Sequence, residues 1–281
     1  MSIKIIVKKE KNLSLFDKFL KKKSEDKEQE IQIPDDWDFY LCDIDGKTGS
    51  YFLNLALINI IPIVEKNAFL WIELTLNQPT EDGMSSQQEY DTLISLEDQL
   101  IPQITELFNA IYVGRLTHSG TRDFYFYLNE NIYDAKLVEK TIHKFSDYQI
   151  KFGLKNDPLW DIYRETIYPN IYAMQSLTND RVIRNLENHG DTLVAERPVE
   201  HWCYFETSEG RDKFIKTIQT EGFEINSQSY HEENKKPYCV QLVRTDSVEL
   251  DNINGVTWAL LELCIENGGE YDGWETLVIL N

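Results

Sequence analysis

The sequence predicts an α+β protein of two domains, and three observations carry that expectation. Strand-like runs alternate with two long amphipathic segments over residues 34–170. A β-α-β-β-α-β order preceded by one helix follows over residues 176–281. A chain of 281 residues is long for one domain and natural for two. The first domain is expected to be an antiparallel sheet with helices on one face, and the second a ferredoxin-like split β-α-β fold.

Residues 1–33 precede both domains as a basic arm and linker. Up to Lys23 the arm holds eight lysines against Glu10 and Asp17. Leu13, Phe16, Phe19 and Leu20 fall at helical spacing, so Ser14 to Lys23 predicts a short amphipathic helix, and Ser24 to Glu30 a polar linker. Such a helix could meet an anionic membrane or RNA. The plainer expectation is that it lays its apolar face on the protein's own acidic body.

In the first domain, Trp37 to Ile44 and Ser50 to Ile60 predict two strands joined by a hairpin turn at Asp45-Gly46-Lys47-Thr48-Gly49. Ala68 to Leu76 predicts a third strand. Leu93, Ile94, Leu96, Leu100, Ile101, Ile104, Leu107 and Phe108 stripe one side of a helix. A second hairpin, Tyr112 to Thr117 and Phe124 to Leu128, turns around His118-Ser119-Gly120-Thr121-Arg122. A helix over Asp134 to Phe145, a strand over Tyr148 to Leu154 and a short aromatic helix over Trp160 to Tyr168 complete it.

The second domain opens with a helix that Thr178 can cap, with Leu177 and Val182 at staple spacing and Gly190 as its stop. Strand Val199 to Glu206, helix Glu209 to Glu221, strand Phe223 to Ser229, strand Tyr238 to Thr245, helix Leu250 to Glu266 and strand Trp274 to Leu280 follow. Gly268-Gly269 closes the last helix, and Asp272-Gly273 predicts a further turn before Trp274.

Charge limits the partners. Lys plus Arg number 28 and Asp plus Glu 48, a formal net charge of −20 with a pI near 4.6. That field repels phosphate backbones and anionic lipid, and it suits solubility or a basic partner surface. Cys42, Cys203, Cys239 and Cys264 are far apart with no C-x-x-C pair, and are expected to be reduced thiols. No apolar run approaches a membrane span, and the Ile3 to Val7 burst lacks the features of a signal peptide. The cytoplasm is the expected location.

The motifs of common chemistry are missing or incomplete. Gly46-Lys47-Thr48 lacks the earlier glycine of a phosphate-binding loop, where Leu41 stands, and it precedes a strand. Asp43 and Asp45 alternate like a calcium loop, but Asn54 occupies the position of its bidentate acid. His201 and Cys203 share a strand face without a second ligand pair, so neither a metal nor a cofactor is expected. The loop of His118, Ser119, Gly120, Thr121 and Arg122 offers backbone donors and a guanidinium that could hold an anion; a plain hairpin tip is the alternative. Glu270, Asp272 and Glu275 are expected to spread across both faces of a strand, with no base positioned for acid–base work. Tyr271 and Trp274 are residue types that anchor interfaces, surrounded by acids that steer a basic partner. Trp274 could equally plug the core.

Residues 176–281 resemble the RraB family, regulators of ribonuclease E activity. The resemblance is carried by Asn188-His189-Gly190-Asp191, by Arg197-Pro198-Val199-Glu200-His201-Trp202-Cys203-Tyr204-Phe205, and above all by Gly269-Glu270-Tyr271-Asp272-Gly273-Trp274. It implies a small, acidic, non-enzymatic ferredoxin-like domain of the kind that binds the endoribonuclease and inhibits cleavage. Glu270, Tyr271, Asp272, Trp274 and Asp191 are the expected partner-binding residues. The segment from Pro34 to Tyr168 resembles a bacterial family of unknown function often fused ahead of RraB-like domains, through the Trp37 hairpin and the His118 to Arg122 hairpin before Phe124-Tyr125. The chain departs from the stand-alone regulators in owning this extra domain and in lacking a markedly acidic insertion. A regulatory protein that occupies a basic surface on a ribonuclease or another nucleic-acid enzyme is the leading expectation. An anion sensor or enzyme built on the His118 to Arg122 loop is the alternative, and a two-domain adaptor a third.

Overall fold

A computed structural model describes residues 32–280, so the basic arm helix and its polar linker lie outside the described residues. The first sheet is antiparallel, with strands β1 (Trp37–Ile44), β2 (Lys47–Asn54), β3 (Ala68–Thr75), β4 (Ile111–His118), β5 (Thr121–Leu128) and β6 (Gln149–Asn156) in the order β1-β2-β4-β5-β3-β6. Helices α1 (Tyr90–Phe108) and α2 (Ala135–Ile142) cover one of its faces. Alternation explains this packing. Leu70, Ile72 and Leu74 of β3 and Phe124, Phe126 and Leu128 of β5 meet the stripe Leu93, Leu96, Leu100, Ile104 and Phe108 of α1.

The opposite face, with Phe69, Tyr125 and Tyr127, is closed by the segment after β6. The expected aromatic helix is there a π-helical turn, Ile162–Ile167. Trp160 stacks on Tyr127 at 3.7 Å, Tyr127 donates its hydroxyl to Asp157, and Asp157 accepts from the backbone of Asp161 and Ile162. Tyr163 donates to the carbonyl of Asn54 at 2.6 Å.

The second strand is shorter than its apolar run suggested. It stops at Asn54, whose side chain accepts from the backbone N–H groups of Asp36 and Ala56. The chain then buries Leu55 and Leu57 from a 3-10 turn, Leu55–Asn59. Apolar content persisted while the asparagine diverted the backbone.

The second sheet holds β7 (Arg197–Phe205), β8 (Glu224–Tyr230), β9 (Tyr238–Asp246) and β10 (Gly269–Thr276), antiparallel in the order β10-β7-β9-β8. With α4 (Ser208–Ile218) after β7 and α5 (Leu250–Glu266) after β9, this is the split β-α-β arrangement. The leading helix α3 (Ile171–Asn188) starts earlier than the expected cap at Thr178. Asn170 follows Pro169 and accepts from the N–H groups of Tyr172 and Ala173, whereas Thr178 sits inside the helix and bonds back to Met174. Helix α3 serves both sheets. Leu177 enters the core beneath the first, while Ile183 and Leu186 join Val199, Val248, Ile253 and Trp274 beneath the second. Arg181 and Arg184 pair with Asp38 of β1, and Arg181 also with Asp36. The region between residues 170 and 176 is thus one continuous helix start.

The last strand also differs from expectation. Gly268, with φ 68°, turns the chain at the end of α5, and pairing with β7 begins at once: Gly269 opposite Phe205, Glu270 opposite Tyr204, Tyr271 opposite Cys203. Gly269 is needed for close approach, because a Cβ there would stand 2.5 Å from the Phe205 ring. That ring is fully buried against Phe214. Gly269→Ala is therefore expected to cost about 1–3 kcal/mol through overpacking. Urea unfolding measures it, and a wild-type midpoint would contradict the packing argument.

Candidate functional site

Helices α3, α4 and α5 all lie on one face of the second sheet. Along β7, Val199, His201, Cys203 and Phe205 point toward them and are buried, so Glu200, Trp202 and Tyr204 point the other way and are half-buried. Trp202 stands opposite Gly273 of β10 and Gln241 of β9, and Tyr204 opposite Glu270 and Cys239. Nothing lies within 4 Å of where a Cβ would sit on Gly273, which leaves the strand position opposite the Trp202 backbone open.

A β-bulge between Tyr271 and Gly273 controls the acids of β10. Simple alternation would send them to both faces. Asp272 is the extra residue and Gly273, at φ 149°, takes up the bend, so Tyr271 and Trp274 both turn inward while Glu270, Asp272 and Glu275 remain exposed. The bare face thus presents Trp202 and Tyr204 among Glu200, Glu270, Asp272 and Glu275. Glu200 accepts a bond from Gln241, and Lys236 reaches Glu270 at 2.8 Å. Burial pushes the Tyr204 hydroxyl up to about 12, reinforced by Cys239, Asp272 and Glu270. The phenol stays a neutral donor beside these carboxylates.

This arrangement can hold a cationic, apolar-edged protein surface. Aromatics on an open four-stranded sheet also serve RNA stacking, but carboxylates around them repel a phosphate chain. Sequence reasoning weighed this strand only for metal ligands at His201 and Cys203 and did not single out Trp202 and Tyr204. The usable signal was alternation: once His201 and Cys203 are inward, Trp202 and Tyr204 must be outward.

The structure places the expected partner-binding residues on both sides of the sheet. Glu270 and Asp272 are exposed on the bare face, but Tyr271, Trp274 and Asp191 are interior. Trp274 donates its indole N–H to Asn179 at 2.8 Å, and Asn179 donates onward to Asn254 and Thr257, so this tryptophan is a core plug. Tyr271 bonds His201 Nδ1 at 2.9 Å. Asp191 is ion-paired with buried Arg197.

His118, Ser119, Gly120, Thr121 and Arg122 do gather at the β4–β5 tip, where Ser119 and Gly120 form the turn. Their polar groups are engaged. His118 contacts Thr48 O at 3.2 Å and Ser119 Oγ at 3.0 Å, Gly120 N donates to Gly83 O, and Thr121 Oγ1 donates to His118 O. Arg122 is buried against Glu97, Thr117 and Ser85. The adjoining hollow, about 360 Å³, carries Glu81 and Asp82 beside Lys47. An anion there would face carboxylates. Among the described residues, no group of three or more His, Cys, Asp or Glu is placed to hold a metal, and no helix is long and apolar enough to cross a membrane.

A six-stranded antiparallel sheet joined through one helix to a split β-α-β sheet defines a two-domain α+β protein. Residues 35–168 match the family of unknown function DUF695, and residues 177–276 match the family Regulator of ribonuclease activity B, RraB. The chain thus matches a family of unknown function and then RraB, in that order, and the latter family is regulatory rather than enzymatic. No curated protein matches the chain. Two solved structures overlap it weakly. An unknown protein from Galdieria sulphuraria has 11% identity over 75% of this chain and 99% of that one, at a TM-score of 0.22. A putative glycine cleavage system transcriptional repressor has 9% identity over 75% and 98%, at 0.24. Neither likeness bears on fold or function.

Proposed function

We propose that this protein is a cytosolic, non-enzymatic regulator that binds a ribonuclease through the bare β7/β10 face and thereby modulates RNA turnover. The observation that carries this reading is the pair Trp202 and Tyr204, half-buried and ringed by Glu200, Glu270, Asp272 and Glu275. The family match supports a ribonuclease as the regulated activity. Aromatic anchors supply desolvated contact area, while the acids steer a basic surface and do not suit direct nucleic-acid or lipid contact. Trp202→Ala should weaken binding to purified ribonuclease E by 10-fold or more, on the hot-spot scale of about 2 kcal/mol. Raising salt should weaken it further. Titration with the labelled protein checks both; no binding of the wild type at low salt sinks the proposal.

A further inference from the structure

A second concave surface lies on the helical side of the RraB-like domain, facing away from the bare sheet. It is a groove of about 450 Å³ running along α5 beside the end of α4. Its floor is Ile218, Phe223, Val256 and Leu260. Along α5 it extends from Asp251 to Glu266, about 22 Å at the rise of an α-helix. Its rim is acidic: Asp251, Glu262 and Glu266 on α5, with Glu221 across from them. The cation in the lining, Arg244, is already engaged, because its guanidinium lies 4.2 Å over the Phe223 ring and pairs with Asp246 at 2.8 Å.

One residue in this groove is out of keeping with the helix that carries it. Gly255 stands inside α5, exposed, with nothing within 4 Å of where its Cβ would be. Glycine is among the poorest helix formers, and neither packing nor backbone angle within this domain requires it. Ala259, one turn on, is also small and exposed. Small side chains at this spacing let a second helix axis come close.

We infer that this groove docks a basic amphipathic helix of a partner protein. Length, apolar floor and small residues fit one helical face, and the four carboxylates fit lysines or arginines flanking it. A second copy of this chain would bring an acidic body to an acidic rim, since the net charge is −20. Phosphate chains and anionic lipid meet the same repulsion. The inference is independent of the bare sheet face, which lies on the other side of the domain.

The test uses the full chain and a fluorescent 18-residue synthetic helix of lysine and leucine at amphipathic spacing, followed by anisotropy at two salt concentrations. A Cβ at position 255 has no atom of the protein within 4 Å, and leucine forms helix better than glycine, so the Tm of Gly255→Leu should be no lower than that of the wild type. Its affinity for the peptide should fall 10-fold or more, while Trp202→Ala should leave that affinity unchanged. Equal binding of the peptide by Gly255→Leu and wild type overturns the inference. So does equal binding of a scrambled peptide of the same charge, or no binding of the helix at all. Loss with Trp202→Ala alone would assign the peptide to the sheet face, which also overturns the groove and leaves the proposed function standing.

Discussion

Arg197→Met should cost the folded state about 3–5 kcal/mol, because it strands a buried carboxylate. Arg197 and Asp191 expose 2% and 0% of their side chains, and the guanidinium contacts both carboxylate oxygens. The arginine also holds the carbonyls of Ala195 and Leu277, and Asp191 accepts from the N–H groups of Leu193 and Ile279. One ion pair therefore ties the start of β7 to the loop after α3 and to the chain beyond β10. Methionine replaces the arginine's volume but not its charge, leaving Asp191 with two backbone donors and no cation. At about 2–4 °C per kcal/mol for a chain of this size, Tm should fall by roughly 10 °C. Asp191→Asn in the same background removes the stranded charge and should recover part of the loss. The hydrogen bonds from Arg197 hold the Asp191 carboxyl well below the usual carboxylate range. Its contribution is then complete above about pH 4 and is lost as pH falls below that. Arg197→Met should accordingly cost less at pH 3 than at pH 7. A Tm within 2 °C of wild type at pH 7 would refute the assignment.

The same pair shows where sequence reasoning stops. Helix α5 was legible to the residue, Leu250–Glu266, because its apolar stripe is uninterrupted and Gly268 ends it. Strand β1, Trp37–Ile44, was equally plain. Boundaries failed where one polar side chain redirected the backbone: Asn54 ended β2 within an apolar run, and Asn170 started α3 ahead of Thr178. The candidate site was half legible. Aromatics and acids near the C-terminus drew notice, but a bulge at Gly273 decides which of them face solvent, and a bulge leaves no periodic trace. Asp191 looked like a surface acid because its partner, Arg197, lies beyond a loop and nothing local marks the pairing. Arg122 was misplaced for the same reason, since Glu97 answers it from another element.

His201 should make the protein sensitive to mild acid, and Asp123 should oppose it over nearly the same range. His201 is fully buried; its Nδ1 meets the Tyr271 hydroxyl, and its Nε2 has no hydrogen-bond partner. Burial, more than the nearby charges of Asp246 and Arg244, pushes its imidazole down to about 4. An unfolded histidine titrates near 6.5, so between about pH 6.5 and 4 the unfolded chain binds a proton that the folded chain refuses. Its stability contribution is complete above that window and declines as pH falls through it, on the order of 3 kcal/mol in total. Asp123 runs the other way. Burial, then Glu73, raises its carboxyl to about 6. The folded state therefore takes up the proton first, and stability from this group is greatest below about pH 4 and is lost as pH rises through 6. In the wild type the two slopes partly cancel. Asp123→Asn should expose the histidine, giving a urea midpoint that drops steeply from pH 7 to 4.5. His201→Phe should expose the aspartate, giving a midpoint that holds or rises over the same interval, after a loss of about 1 kcal/mol at pH 7 from the unpartnered Tyr271 hydroxyl. Parallel pH profiles in the two variants would show that neither group controls acid stability. Opposite slopes would locate that control in one core histidine and one sheet carboxylate, each in a different domain.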